Sequence, residues 1–532
     1  MTKKNLGKYP FVVRPFSDGL IFWLLKNEHV TPAEVSRHPP AIYLNQYLLS
    51  LKAKTVVEEM EYNDLHYLDD YASYYARTYK TYGRFCRRLH FFSNKFRNDD
   101  LYGAIVKGGK LADALTAEGS YLGFVVARPL PGAVLGRTVL QAPNADGESV
   151  KYTAVLKKTS VGFFGLSLTV KNALPFQEQD TNVAACATIA LWSAFNKTSA
   201  MFGTQSPHPT AITVSGNKVR TASRVFPSDG LTTSQMCQAV VDAGLEPEVY
   251  PVNKSTPLLT ILYSYVSMGL PVILIVYVKK DTLHAVTVTG FSLKDLPLQD
   301  GERHASDISF VGHRIDRIFV HDDGIGPFEP LEVRKANDAE RNEVLGTKHG
   351  SPIAFSSLWM VGNQKLTMFP SSIIVPAHPK MRVRFEPVEA AVRYLTEILK
   401  NNKITEFKGY LQEMRGDDTI LGFEWAPRYV RLNSYKKELR TRALHGGFMD
   451  TDETRFLLES QPRFLWCISL LIGGHERMEI LFDATDCRGS SLVRAVTWPD
   501  PLFKKRFRTV LRAERSKIDD ALGTTFVKPF LT

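Results

Sequence analysis

The sequence predicts an α+β protein of several domains. Three observations carry that prediction. Helical and extended patterns alternate along the chain. Several strand pairs are joined by short Gly/Pro turns, the mark of antiparallel hairpins. The chain has 532 residues, 44% hydrophobic and 23% charged, which is too long for one core but ordinary in composition for a globular protein. We divide it at 1–170 (an N-terminal α/β region), 171–380 (a central domain) and 381–532 (a C-terminal α/β region).

Residues 1–56 mix an extended start with helical pieces. Ser17 or Asp18 is placed to cap GLIFWLLKN, and Thr31-Pro32-Ala33-Glu34 reads as a helix start with proline in its first turn. The next stretch, to Arg97, is acidic first and basic afterwards, with Tyr and Phe rings between the cations. Such rings can stack on nucleic-acid bases, yet at this spacing they more often pack inward and leave the charges solvated. From about 100 to 170 the pattern turns to strands. Tyr121–Ala127 and Arg137–Leu140 flank a Pro/Gly turn, and KYTAVLKKT and GFFGLSLTV follow.

The polar stretch QEQDTN, 177–182, then runs into an apolar helix with Cys186 at the junction. The unpaired N–H groups and positive end of a helix favour thiolate over thiol, so the position suits a nucleophile. Thr232 and Gln235 form a capping box for a helix that stops at Gly244, and 257–268 make another, stopped by Gly269. Cys237 falls inside the first of these and is expected to be buried. The run from Pro271 to Val278 is a buried strand, and after a charged turn His284 opens a second one. Ile318–Val320 form a short strand with Asp322 and Asp323 at its end. Catalytic groups gather at such element ends. The polar stretches 292–314 and 333–350 read as surface loops beside the cleft.

With Cys186, His284 in an HAVTVTG run and Asp322 in this order, 175–335 resembles a papain-like cysteine peptidase core. Its layout is most similar to the bacterial leader-peptide-processing branch of that superfamily. The resemblance implies a helix bearing Cys186 packed on an antiparallel sheet, and a Cys186–His284–Asp322 triad. It also implies a glutamine in the oxyanion hole, for which Gln179 is the first candidate and Gln177 the alternative. Asp323 is the alternative to Asp322. The chain departs from the family's pattern in two ways. Ala185 and Ala187 flank Cys186 where a glycine is common, and Gln179 stands slightly further upstream than usual.

The implied activity is hydrolysis of a peptide or isopeptide bond in a polypeptide substrate, a dedicated protein target among the options, with no cofactor. Acyl transfer to an amine would use the same thioester, and a non-catalytic peptidase-like scaffold is a third reading. Five widely spaced cysteines argue against a disulfide framework and for a reducing compartment, and no CxxC pattern suggests a zinc site. The apolar run LIFWLL is too short for a signal peptide or a membrane span, so a cytoplasmic protein is expected. A net charge of +11 permits contact with nucleic acid without demanding it. From 380 onward, Val388, Val392, Leu395 and Leu399 share a helical face, and a hairpin turns at Gly473-Gly474. FKKRFRTVLRAERSK reads as a basic helix or tail.

Overall fold

The computed structural model describes residues 9–531, except 144–152, 181, 184, 221–224, 226–229, 295–307, 347–349, 362–363, 402, 416–422, 447–450, 487–492 and 524. It is a mixed helix and sheet protein, as the alternating patterns predict. Among the described residues no helix is long and apolar enough to cross a membrane. The N-terminal part runs β1 (Phe11–Pro15), α1 (Leu20–Leu25), α2 (Pro32–Val35), α3 (Pro39–Ser50), β2 (Thr55–Tyr62), α4 (Leu65–Ser73), β3 (Cys86–Phe92), α5 (Asn98–Lys107), α6 (Lys110–Thr116), β4 (Tyr121–Ala127) and β5 (Leu135–Leu140). Its sheet has the order β1-β2-β3-β4-β5, antiparallel throughout. Thr31 and Glu34 cap α2 reciprocally. Neither Ser17 nor Asp18 caps α1. Asn45 of α3 donates to Asp18 and accepts from the Gly19 N–H, so a tertiary partner replaces the local cap. Most rings between Arg77 and Arg97 pack inward. Phe91 and Phe92 are fully buried and Tyr82 and Phe96 partly so, while Tyr79 and Phe85 stay exposed.

The middle of the chain carries β6 (Thr153–Ala154), β7 (Lys157–Phe163), β8 (Leu166–Ala173), α7 (Cys186–Phe202), α8 (Pro209–Gly216), α9 (Thr233–Asp242), β9 (Glu246–Pro251), α10 (Leu258–Val266), β10 (Val272–Lys279), β11 (Thr282–Leu293), β12 (Ser309–Phe310), β13 (Ile315–Asp322), β14 (Gly326–Lys335), α11 (Asp338–Leu345), β15 (Ile353–Val361) and β16 (Gln364–Ala377). The antiparallel sheet β10-β11-β13-β14-β15-β16 closes on itself, because β10 pairs with β16 as well as with β11; β9 extends it beyond β16. Alternation along β10 sorts its side chains. Val272, Leu274 and Val276 join one core, while Ile273 and Ile275 share a second with Leu191, Trp192 and Phe195 of α7. The Thr287 hydroxyl of β11 donates to the Ala190 carbonyl at 2.8 Å and pins helix to sheet.

The region 333–350, expected as loop, contains α11. That helix has no wide apolar stripe to announce it; the Asn337 side chain caps it by accepting from the Ala339 N–H at 2.9 Å. Within 292–314, residues 295–307 lie outside the described residues, and a short strand and a 3₁₀ turn follow them.

The C-terminal part adds α12 (Phe385–Asn401), α13 (Thr405–Arg415), β17 (Phe423–Arg431), α14 (Leu432–Gly446), α15 (Thr451–Leu458), β18 (Phe464–Ile472), β19 (His475–Asp483), β20 (Val493–Thr497), α16 (Pro501–Ala513), α17 (Arg515–Leu522) and α18 (Lys528–Leu531). Its sheet order is β12-β17-β18-β19-β20, so β12 of the middle segment pairs with β17. The basic stretch expected near the end begins as α16, which buries Phe503, Phe507, Val510 and Leu511 on one face.

Candidate functional site

Cys186 is the first residue of α7. Ala185 before it is extended and supplies no side-chain cap, so the thiol sits among first-turn N–H groups that no capping side chain takes. Cys186 is half-buried. The other described thiols differ. Cys86 and Cys467 are buried and Cys237 is half-buried inside α9, and in all three burial pushes the thiol pKa up. Cys487 lies outside the described residues.

His284 is the third residue of β11, just past the tight turn from β10, and it pairs across the ladder with Val276. Its imidazole lies near the Cys186 thiol, which helps to raise the pKa of the ring. Its Nε2 lies 3.1 Å from Oδ1 of Asp322 and 3.6 Å from Oδ1 of Asp323. Asp322 ends β13, and its Oδ1 also accepts from the Gly324 N–H at 2.9 Å. The turn thus fixes the carboxylate that faces the ring. The structure brings Cys186, His284, Asp322 and Asp323 together from three separate parts of the fold.

Three buried carboxyl groups interact electrostatically with the ring, and their environments set them apart. Burial works against a charged His284, but the Asp322 carboxylate and the Cys186 contact outweigh it and hold the imidazole pKa well above its ordinary value. Burial likewise opposes a charged Asp322, yet His284 and the turn N–H groups hold its carboxyl below the usual range. Asp323 lacks such hydrogen bonds, and burial pushes it up to about 7. Glu329 of β14, bonded by the Ser357 hydroxyl, is pushed by burial to about 8.

Gln179 lies on a neighbouring cavity of about 300 Å³, with His38, Glu178, Asp180, Asp323 and Gly324 among its walls. Gln177 is 2% exposed and lines neither that cavity nor the cleft beside His284. That cleft, about 700 Å³, shares Gly324 with the first cavity and has Asp322 rather than Asp323 in its wall. Val278, Ile325, Leu366 and Phe369 give it apolar walls, and Glu340 and Glu343 of α11 also line it.

Several groups near the site carry no signal in the sequence. His38, just before α3, meets Glu178 at 2.6 Å, and Glu178 accepts from the Leu135 N–H at 2.9 Å. The N-terminal part therefore braces the loop that precedes Cys186. No local pattern marks His38 or Glu329, since each acquires its partner only through tertiary folding.

No known protein family matches the chain, and no curated protein is significantly similar to it in sequence.

Proposed function

We propose that the chain is a thiol hydrolase that cleaves a peptide or isopeptide bond through Cys186, His284 and Asp322, on a papain-like core spanning 171–380. The observation that carries this reading is one imidazole hydrogen-bonded to a buried carboxylate and lying near a thiol at a helix start. Cys186 attacks the substrate carbonyl carbon after giving its proton to His284. His284 then protonates the leaving amine, and the thioester is hydrolysed by water. Asp322 orients the ring and stabilises the imidazolium. The backbone N–H of Cys186, in the first turn of α7, serves the oxyanion, and Gln179 is the side-chain candidate; one such donor is typically worth about 3–4 kcal/mol. The cleft beside His284 receives the polypeptide.

A thiol-directed epoxide or iodoacetamide probe tests the reading. The expected result is rapid labelling at Cys186, with Cys86, Cys237 and Cys467 slow. Cys186→Ala should lower turnover of a peptide library by on the order of 10⁴-fold or more while preserving the circular dichroism spectrum. Equal, sluggish labelling of these cysteines, with turnover unaffected by Cys186→Ala, would replace the enzyme with a scaffold. Added amines that appear as adducts on the acyl product would assign transfer in place of hydrolysis.

A further inference from the structure

The turn after β13 holds more carboxylate than a triad uses. Asp323 is 3% exposed, and neither of its side-chain oxygens has a hydrogen-bond partner; Oδ2 of Asp322 is also without one. Buried carboxylate oxygens are normally paired or bound to a cation. The Asp323 carboxyl also lies where other ligand atoms converge. Single atoms of His284, Asp322 and Asp323 all lie within 4.8 Å of one another. Zinc bonds to nitrogen and oxygen of about 2.0–2.2 Å set neighbouring ligands of a tetrahedron about 3.4 Å apart. The separations from His284 Nε2, 3.1 Å and 3.6 Å, bracket that edge.

We propose that His284, Asp322 and Asp323 form a binding site for a divalent transition-metal ion of the zinc class, with water in the fourth position. One imidazole and two carboxylates suit such an ion better than the all-oxygen preference of magnesium or calcium. Metal binding and the triad exclude each other. Nε2 either donates its proton to Asp322 or gives its lone pair to the metal; a neutral ring bound through Nε2 carries its one proton on the other nitrogen, which then has no lone pair to accept the proton of Cys186. Metal occupancy therefore takes away the base that activates Cys186, and zinc acts as an inhibitor. The inhibition rests on the proposed thiol chemistry; the binding does not, because Cys186 is not one of the three ligands.

The test uses the full-length Cys186→Ala protein, titrated with zinc chloride in a calorimeter, against the Cys186→Ala/Asp323→Asn protein. The expected result is one tight zinc per chain, weakened ten-fold or more by Asp323→Asn. Crystals of the Cys186→Ala protein soaked in zinc should show an anomalous peak between His284, Asp322 and Asp323. Equal affinity in the two proteins, or a peak elsewhere only, would overturn the site. Should the double variant fail to fold, the position of the peak decides alone. A wild-type chain that cleaves peptides through Cys186 but binds no zinc loses only this inference. One that binds zinc at these residues but shows no Cys186-dependent turnover loses only the hydrolase reading.

Discussion

Asp322 and Asp323 are adjacent and almost equally buried, yet burial prevails at only one of them. Asp322 gains His284 and the Gly324 N–H, and its carboxyl falls below the usual range; Asp323 gains neither bond and rises to about 7. The difference fixes a pH prediction. His284 has a folded pKa raised above its unfolded value, so its contribution to stability is full below about pH 6.5. That contribution is lost as pH rises through the higher folded value. Asp322→Asn removes the main group that raises it. Melting temperatures measured from pH 6 to 10 should then fall with pH in the wild type and fall less in the variant. The alkaline limb of the rate profile should move down in pH, with a loss of turnover on the order of 10²-fold. The identities of Cys186, His284 and Asp322 are legible in the sequence because each stands at the end of a recognisable element. Their meeting is implied only by the family resemblance and not by the residues themselves, and the lack of hydrogen bonds at Asp323 is not legible at all, because both depend on how three distant elements meet.

At the scale of elements, legibility follows periodicity. The strand at 272–279 and the capping box of α9 are readable because burial pattern and cap chemistry are local. The helix α11 is not, since its polar surface matches that of a loop. Cys237, expected to be buried, is half-buried, because the apolar stripe of α9 falls on Met236, Ala239 and Val240. Close approach of two backbones is another feature that sequence hides. Gly123 in β4 has φ of 123°, and a Cβ there would collide with the Val139 carbonyl oxygen in β5. Both the positive φ and the contact forbid a side chain. Gly123→Ala is expected to destabilise the chain by about 1–3 kcal/mol from backbone strain alone, with the β4–β5 clash adding to it. Urea titration would measure this, and an unchanged midpoint would contradict it.

The whole molecule is joined by cores that cross the sequence divisions. Tyr43 and Tyr47 of α3 pack in the same cluster as Ile325 and Phe328, which flank or lie in β14, and the Tyr43 hydroxyl donates to the Pro327 carbonyl at 3.0 Å. On the other side, Tyr265 of α10 stacks on Tyr429 and meets Trp466 edge-on. The C-terminal sheet has its own polar centre. Glu479 is fully buried and is bound by Arg428, Arg442, Tyr435 and Thr497, and despite its burial these partners hold its pKa at about 2. Glu479→Ala leaves two arginines without that anion and should cost about 3–5 kcal/mol. A chemical-denaturation curve that does not shift would refute this role. The depressed pKa adds that the stability Glu479 contributes is present above the ordinary carboxylate range and is lost as pH falls toward about 2.

These shared cores also bear on where function can be carried. Cutting out 171–380 would expose the faces that Tyr43, Tyr47, Tyr429 and Trp466 cover, and would remove His38 from the Glu178 carboxylate beside the loop that leads to Cys186. Exposed apolar faces of that kind drive association rather than folding. The excised segment is therefore expected to aggregate or to bind a hydrophobic dye strongly, and to show no selective labelling of Cys186. Re-adding the N-terminal part should not suffice, because the faces covered by Tyr429 and Trp466 would stay open. A soluble 171–380 fragment with a cooperative melt and full Cys186 reactivity would show that the site is self-contained.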